Sequence, residues 1–249
     1  MRAVVLAAGV GRRLNKTHPG PKSLLTFGDR SLLARHLENL AGLNVDHIAI
    51  CVGHEAAMLR EAVQASGLSK LVSTVLNPRY HEGSVISLWT MRHYLRAGGD
   101  VMLMDADVLY HPALLERLTF TDKCNCFLLD RDFEPGLEPV KLCVRDQRLV
   151  EFRKQVAPDL QYDFAGESVG FFRFEEVTAQ RLADKTAEYV ASGRREEPYE
   201  DAIRDLLLAT PEIFGYEDIT SLPWIEIDFP EDIKRANHEI LPYLNASVR

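Results

Sequence analysis

Two pairs of carboxylates with one residue between their members follow apolar segments of this sequence. Asp105 and Asp107 come directly after Val101–Met104, and Glu226 and Asp228 alternate in the late segment WIEIDF. Side chains two positions apart in an extended chain point to the same side, and carboxylate oxygens are the ligands that Mg²⁺ prefers. We therefore predict a metal site at Asp105 and Asp107, where a strand ends. The alternative is a solvated turn in which one Asp caps the next helix.

A loop rich in small and basic residues follows the first apolar run, Ala3–Val5. Its sequence, LAAGVGRRL, contains Gly9 and Gly11. The basic residues along this loop and its continuation are Arg12, Arg13, Lys16 and Lys22. Such a loop can bind a polyphosphate through backbone N–H groups and several cations at once. The alternative is a surface loop whose basic side chains are only solvated.

Two better-known phosphate-binding loops fit these residues poorly. The dinucleotide fingerprint needs a third glycine and a helix that starts at the loop. Leu14 stands at the third position, and the next clear helix begins at about Ser31. A Walker A loop is disfavoured because Pro21 precedes Lys22-Ser23 without a glycine in the required frame.

The bulk properties argue against several classes of protein. The formal net charge is −8, from 29 basic and 37 acidic residues, whereas nucleic-acid binders usually carry a basic surface. No apolar run reaches the ~18–20 residues of a membrane span, and no signal-peptide pattern precedes the first strand. The four cysteines are typical of reduced core thiols. We expect a cytoplasmic protein with neither a nucleic-acid nor a membrane partner.

The elements that position these residues alternate along the chain. The predicted strands are Arg2–Leu6, His47–Val52, Leu71–Leu76, Val101–Met104, Cys124–Leu129, Val140–Val144, Leu149–Phe152, Ser168–Phe174, Ile213–Tyr216 and Trp224–Asp228. The predicted helices are Ser31–Leu40, Glu55–Ala65, Ser84–Leu95, His111–Leu118, Glu175–Ser192, Pro198–Leu208 and one from Pro230 towards Ile240. This pattern predicts an α/β protein: one Rossmann-like three-layer αβα sandwich over 1–249, with a mixed, mainly parallel sheet.

The glycine loop, together with the later GPKSLL, resembles the signature of the nucleoside-triphosphate transferases that make nucleoside-diphospho sugars and alcohols. The pattern of that superfamily is L-A-A-G-x-G-x-R-L, followed after a gap by P-K. Its fixed positions are filled by Leu6, Ala7, Ala8, Gly9, Gly11, Arg13, Leu14, Pro21 and Lys22. The resemblance implies that the small residues pack against the nucleotide while Arg13 and Lys22 hold its phosphates.

The same resemblance assigns roles to the acidic pairs. In the superfamily, the acid at the end of the central strand and a late acid in I-D-x-P-E-D together hold the divalent metal. This implies that Asp107 and Asp228 bind Mg²⁺, with Asp105 as a neighbour or water-mediated partner. It also implies that residues 1–130 form the nucleotide-binding half and residues 131–249 the half that binds the acceptor and supplies the second metal ligand. The residues expected to contact the nucleotide are Leu6, Ala7, Ala8, Gly9, Gly11, Arg12, Lys22, Gly53, Asn77, Ser84 and Asp105.

Three further segments resemble the bacterial phosphocholine cytidylyltransferases and their phosphoalcohol-using relatives. They are NPRYHEGSVISLW, GESVGFFRF and PYEDAIRDLL, although Gly83 and Ser84 stand where those relatives often carry asparagine. The acceptors of that branch include cationic headgroups, which are held by acids and aromatic faces. The acceptor-binding candidates are Tyr80, Trp89, Glu167, Glu200 and Asp201. The alternatives are core packing for the aromatic residues and the first turn of a helix for the last two acids.

These observations predict a metal-dependent nucleotidyltransferase that moves CMP from CTP to an acceptor of the phosphocholine or 2-aminoethylphosphonate type. Lys22 and Arg13 are the expected catalytic residues, and His18 and His54 near the cleft are expected to be structural. One alternative is a sugar-1-phosphate or inositol-phosphate enzyme that uses CTP, UTP or GTP. A non-catalytic nucleotide-binding module and, more weakly, an NAD-dependent dehydrogenase are others. A homodimer is left open.

Overall fold

The strands of this protein are seen in a computed structural model that describes residues 1–14 and 20–244, so Lys16 and His18 lie outside the described residues. The strands are β1 Arg2–Ala7, β2 Thr26–Phe27, β3 Arg30–Ser31, β4 His47–Val52, β5 Val72–Leu76, β6 Val101–Asp105, β7 Val108–Tyr110, β8 Asn125–Asp130, β9 Lys141–Arg145, β10 Arg148–Arg153, β11 Phe164–Phe174, β12 Phe214–Asp218 and β13 Trp224–Glu226.

Helices alternate with the strands in the first half and cluster in the second. They are α1 Leu32–Gly42, α2 Ala56–Ala65, α3 Ser84–Thr90, α4 Arg92–Leu95, α5 Ala113–Phe120, α6 Glu176–Ala191, α7 Tyr199–Ala209 and α8 Pro230–Arg235. A π-helical turn, Ala236–Ile240, continues α8. The predicted N-cap of α1 is present, since the Ala34 N–H donates to Ser31 Oγ over 3.1 Å.

A central sheet of mixed direction carries the fold. Within the described residues it has nine strands, with the order β10-β9-β11-β6-β1-β4-β5, and with β8 bonded to β11 and β12. β1 runs parallel to β4 and β6, and β4 parallel to β5, so the carboxyl ends of these strands share one edge. β11 is antiparallel to β6, β8 and β9. Ligands in such sheets bind at the shared carboxyl edge.

Both faces of the sheet are covered, because its buried strands are apolar on both sides. Along β1, Val4 belongs to the core beneath α3, α4, α6 and α7. Its neighbours Ala3 and Val5 belong to the core beneath α1, α2 and α5. The predicted three-layer αβα architecture with a mixed sheet is therefore confirmed.

A third, smaller core joins the glycine loop to the C-terminal elements. Leu14 and Phe27 from the N-terminal region pack with Leu109 of β7 and with Ile225 and Ile227 around β13. This contact fixes the two ends of the described chain against one another. It thereby brings the loop after β1 next to the second acidic pair.

Most predicted elements differ from the observed ones by one or two residues at their ends, and the short strands β2, β3 and β7 were not predicted. The helix predicted over Ser84–Leu95 is broken at Met91, whose backbone (φ −84, ψ 2) leaves the helical region. β11 begins at Phe164 rather than Ser168, because its first residues pair with β9. β13 ends at Glu226 rather than at Asp228. The strand pairs formed at element ends, and the backbone torsion angles there, depend on tertiary contacts. A local sequence pattern carries no information about these contacts.

Candidate active site

Gly11, in the loop after β1, lies against the side chain of Lys22. Gly11 has a φ of +63°, and a Cβ at that position would lie 3.1 Å from Lys22 Cγ. Glycine allows both the positive φ and the close approach. Lys22 begins a 3₁₀ turn, Lys22–Leu24, directly after Pro21. The Pro21-Lys22 dipeptide thus determines where the ammonium group of Lys22 enters the site.

Gly53 allows the loop after β4 to lie against the loop after β1. The His54 N–H donates to the Ala8 carbonyl over 3.1 Å. A Cβ at Gly53 would lie 2.7 Å from that carbonyl oxygen and 2.9 Å from Cγ of Tyr80. Tyr80 therefore packs on the nucleotide-loop side of the molecule.

Lys22 and Arg13 make ion pairs with the two predicted metal ligands. Lys22 Nζ lies 3.0 Å from Asp107 Oδ2 and also bonds to Asp228. Arg13 donates to Asp228 Oδ2 over 2.9 Å and to Glu138 over 3.1 Å. Burial alone would lower the pKa of Lys22, but Asp107 and Asp228 outweigh burial and raise it. Four residues predicted from separate motifs are thus brought together.

Strand pairing explains how Asp107 meets Asp228. β13 runs antiparallel to β7 with Glu226 opposite Val108, and the Ile227 N–H donates to the Asp107 carbonyl over 2.9 Å. Asp232, in the first turn of α8, accepts from the Asp228 N–H over 2.9 Å. That bond holds the backbone of Asp228 as the chain turns from strand to helix.

Glu226 is a third carboxylate at this position. Asp107, Glu226 and Asp228 offer ligand oxygens that lie within 4.8 Å of one another. The pKa of Glu226 is raised by desolvation of its carboxyl group and by the charges of Asp107 and Asp228. An all-oxygen set of this kind fits a divalent cation such as Mg²⁺. The alternation of Glu226 with Asp228 was the signal in the sequence, but only the register of β13 shows that both reach the site.

Asp105 does not belong to the group of ligand oxygens formed by Asp107, Glu226 and Asp228. The chain bends at Ala106 and Asp107, and a shared role of Asp105 and Asp107 in metal binding stays a prediction. The Tyr199 hydroxyl donates to Asp105 Oδ2 over 2.6 Å. Burial, followed by the charges of Asp107 and Glu200, raises the pKa of Asp105.

Two cavities meet at Asp228. The smaller, about 260 Å³, is lined by Leu6, Ala7, Gly9, Gly11, Arg12, Arg13, Pro21, Lys22, Ser23, Ala106, Asp107 and Asp228. The larger, about 730 Å³, extends from Asp105 and Asp228 over β8, β11 and the start of α7. Among the described residues that line the larger cavity are ten Asp or Glu side chains and two basic ones, Lys154 and Arg235. The first cavity suits an anion and the second suits a cation.

The predicted acceptor-binding residues are divided between different places. Glu167 and Glu200 line the larger cavity, whereas Tyr80, Trp89 and Asp201 are absent from its described lining. The Arg92 guanidinium lies 4.0 Å above the Trp89 ring. Asp201 follows Glu200 in α7, and one step along a helix turns the side chain by ~100°.

Two predicted nucleotide-contacting side chains are held by protein hydrogen bonds. Asn77 is buried; its Nδ2 donates to Ser87 Oγ over 3.1 Å, and its Oδ1 accepts from the Arg79 N–H over 2.9 Å. Ser84 Oγ accepts from the Tyr199 N–H over 2.9 Å. Ser84 thus joins α3 to the start of α7. Ala8 is almost fully buried beneath the loop.

Sequence reasoning did not place Asp130 or Trp224 in the acceptor site, although both line the larger cavity together with the predicted Glu167. The Trp224 Nε1–H donates to Asp130 Oδ2 over 2.7 Å. Asp130 lies opposite Glu167 in the β8–β11 ladder. Burial and the charge of Asp130 raise the pKa of Glu167 to about 7. Cross-strand pairing assembles this group from distant segments, so no local motif marks it.

A glycine loop with two cations lies opposite three carboxylates at the carboxyl edge of the parallel strands, as expected for a nucleotidyltransferase. The chain belongs to the MobA-like NTP transferase domain family, whose model matches residues 3–161. The resemblance found in the sequence is therefore confirmed, as is the classification as an enzyme of this type.

Two curated relatives align over almost the whole chain. The CMP-5'-(3-aminopropyl)phosphonate synthase of Streptomyces rubellomurinus is 28% identical over 247 residues, which cover 97% of this chain and 39% of that protein. The bifunctional IPC transferase and DIPP synthase of Rubrobacter xylanophilus is 28% identical over 243 residues, covering 96% of this chain and 52% of the relative. This chain therefore spans about half or less of the length of these relatives.

Solved structures share the fold. The inositol-1-phosphate CTP transferase of T. maritima superposes with a TM-score of 0.77 at 20% identity, covering 100% of this chain and 97% of that one. The CTP:phosphocholine cytidylyltransferase of Streptococcus pneumoniae gives 0.73 at 19% identity, with coverages of 95% and 97%. In the described part of this chain, no helix has the length and apolar character needed to span a bilayer.

Proposed function

We propose that this chain transfers CMP from CTP to the phosphonate or phosphate group of a small acceptor and releases pyrophosphate, with Mg²⁺ bound at Asp107, Glu226 and Asp228. The observation that carries the proposal is the meeting of the two cavities at Asp228. One cavity is lined by the cations that a triphosphate needs, and the other opens beside the same carboxylates.

The cations of the smaller cavity suit the charge that develops during nucleotidyl transfer. An anionic oxygen of the acceptor attacks the α-phosphorus of CTP and forms a new P–O bond. The bond from the α-phosphorus to the bridging oxygen breaks, and pyrophosphate leaves with that electron pair. Lys22 and Arg13 neutralise the phosphate oxygens throughout, and positioned charges of this kind account for much of the catalysis in such reactions.

This chemistry needs no catalytic base from the protein, because the attacking oxygen is already ionised. A divalent cation, when bound, would polarise the α-phosphate and lower the repulsion between the two anionic reactants. Asp107 and Asp228 now pair with Lys22. In the liganded enzyme, Lys22 would exchange these carboxylates for the phosphate oxygens.

The larger cavity favours an acceptor that carries an ammonium group. Its described lining is strongly acidic, and Oε2 of Glu200 is buried without a hydrogen-bond partner among the described residues. The Trp224 ring lines the same cavity, and aromatic faces attract cations by ~0.5–2 kcal/mol. The name of the Streptomyces rubellomurinus relative refers to an aminoalkylphosphonate, which carries such a group.

The inositol-phosphate alternative corresponds to the activity in the name of the T. maritima neighbour, an inositol-1-phosphate CTP transferase. A pyrophosphate-release assay over four nucleotides and four acceptors separates the two proposals. The matched acceptors are 3-aminopropylphosphonate and its neutral analogue propylphosphonate, alongside inositol 1-phosphate and glucose 1-phosphate. We expect turnover with CTP and a preference for the amine over its neutral analogue. Turnover only with inositol 1-phosphate or glucose 1-phosphate would reject the cationic acceptor.

A further inference from the structure

The segment between β8 and β9, residues 131–140, forms one wall of the larger cavity. The nine consecutive residues from Asp132 to Val140 all line that cavity. Most of them are exposed to solvent, and the side chain of Leu137 is 74% exposed. The segment has no regular secondary structure, so its position depends on the side-chain contacts that tie it down.

The two ends of the segment are tied to the sheet. At the β8 end, the Asp132 N–H donates to Asp130 Oδ1 and the Arg131 N–H to Thr220 Oγ1, both over 2.9 Å. At the β9 end, Lys141 Nζ donates to the Gly136 carbonyl over 2.8 Å. These bonds do not involve the residues of the smaller cavity.

Glu138 alone among the described residues of this segment reaches the nucleotide loop. Arg13 donates from one nitrogen to both carboxylate oxygens of Glu138, over 3.1 and 3.2 Å. Lys154 Nζ also donates to Glu138, over 3.3 Å. The same guanidinium donates from its other nitrogen to Asp228. Arg13 therefore links the cavity wall to the carboxylate cluster.

We propose that Glu138 is a positioning residue that holds the 131–140 segment on Arg13 and releases it when a triphosphate takes Arg13. The inference rests on the proposed function, in which Arg13 binds the triphosphate. A phosphate oxygen and Glu138 compete for the same guanidinium, and bidentate sites on arginine favour phosphate as much as carboxylate. Nucleotide binding then leaves Glu138 with Lys154 only and loosens the wall of the acceptor cavity.

The consequence is a defined order of binding. A segment that loosens once the triphosphate is bound opens the acceptor cavity after the nucleotide has arrived. Because coupling is reciprocal, the link to Glu138 also weakens nucleotide binding in the free enzyme. Removing the carboxylate charge therefore strengthens nucleotide binding while it frees the segment.

Hydrogen exchange of the peptide covering 131–140, measured with and without CTP in the absence of acceptor, tests this proposal. The wild-type segment should exchange about two- to fivefold faster with CTP, as expected for the loss of one exposed ion pair. Glu138→Gln should exchange at the faster rate without CTP, respond little to it, and bind CTP about two- to fivefold more tightly. The matched control Glu134→Gln removes a carboxylate that pairs with Arg235 instead, and should keep the CTP response.

Two results would overturn the positioning role proposed for Glu138. One is equal exchange of wild type and Glu138→Gln in the absence of nucleotide. The other is a CTP response of the same size in both proteins. The first comparison needs no nucleotide, so a failure of CTP to bind would reject the proposed function without deciding the role of Glu138.

Discussion

At the scale of single residues, the environment of Lys22 connects this structure most directly to its chemistry. Its ammonium group lies between Asp107 and Asp228, both of which the sequence predicted as metal ligands. Lys22 and a divalent cation compete for the same carboxylates, whereas Lys22 and a triphosphate attract one another. One side chain thus affects metal and nucleotide binding in opposite directions.

Replacing Lys22 by methionine should separate these two effects. Lys22→Met should bind Mn²⁺ in the absence of nucleotide about tenfold more tightly, because roughly 1.4 kcal/mol of charge repulsion is removed. Turnover should fall about 10²- to 10³-fold because phosphate charge is no longer neutralised. Titration of free Mn²⁺ by its electron paramagnetic resonance signal gives the affinity. Asp107→Asn is the control that should lose the metal, and weaker Mn²⁺ binding by Lys22→Met would contradict the competition.

Glu167 makes stability depend on pH in a predictable direction. Its pKa rises from 4.5 to about 7 in the folded protein, chiefly through burial and then through Asp130. Between these pH values the folded chain holds a proton that the unfolded chain has lost, so this group reduces stability as pH rises towards 7. Glu167→Gln removes the penalty. Relative to wild type, its free energy of unfolding should therefore be about 1–3 kcal/mol larger at pH 8 than at pH 5.

Urea denaturation of both proteins at the two pH values measures that difference. Comparing the variant with wild type at each pH removes the contribution of the other titrating groups. A difference that stays constant between pH 5 and pH 8 would show that the carboxyl group of Glu167 is ionised normally.

At the scale of elements, the positions of the parallel strands along the chain were predictable and helix phase was not. The alternating patterns located β1, β4 and β6, so residues at their carboxyl ends, including Asp107, could be assigned to a common edge. Asp201 could not be separated from Glu200 by local pattern, since both fit the first turn of α7. Trp224 with Asp130, and Glu226 with Asp107, depend on strand register between distant segments. Register is fixed by tertiary packing rather than by local sequence.

Substitution of Gly53 tests the contact between the loop after β4 and the loop after β1. A methyl group there would meet the backbone oxygen of Ala8 at 2.7 Å, and a backbone atom cannot move away as a flexible side chain can. Gly53→Ala should lower the unfolding free energy by about 1–3 kcal/mol, the usual cost of overpacking, and should also weaken nucleotide binding. Thermal unfolding and CTP titration measure both effects. Gly67 has a positive φ but no neighbour within 4 Å among the described residues, so Gly67→Ala is a control for backbone strain that should leave CTP affinity unchanged.

At the scale of the whole molecule, a chain with net charge −8 concentrates cations in one small cavity beside a larger acidic one. The third core, between the glycine loop and β13, holds these cavities together at Asp228. The fold class was predictable because the strands and helices of every layer show a regular hydrophobic pattern in the sequence. The separation of the acceptor candidates was not predictable. Tyr80 and Trp89 stand near segments of the site in the sequence, but they do not line the larger cavity in the structure.

Direct identification of the product tests the central claim. ³¹P NMR of a mixture of CTP, Mg²⁺ and 3-aminopropylphosphonate should show, with wild-type enzyme, a new anhydride between the α-phosphorus and the phosphonate. Pyrophosphate should appear in equal amount, and Asp228→Asn should form neither product at a comparable rate. Pyrophosphate release without any anhydride, or the same anhydride formed at an unchanged rate by Asp228→Asn, would contradict the account.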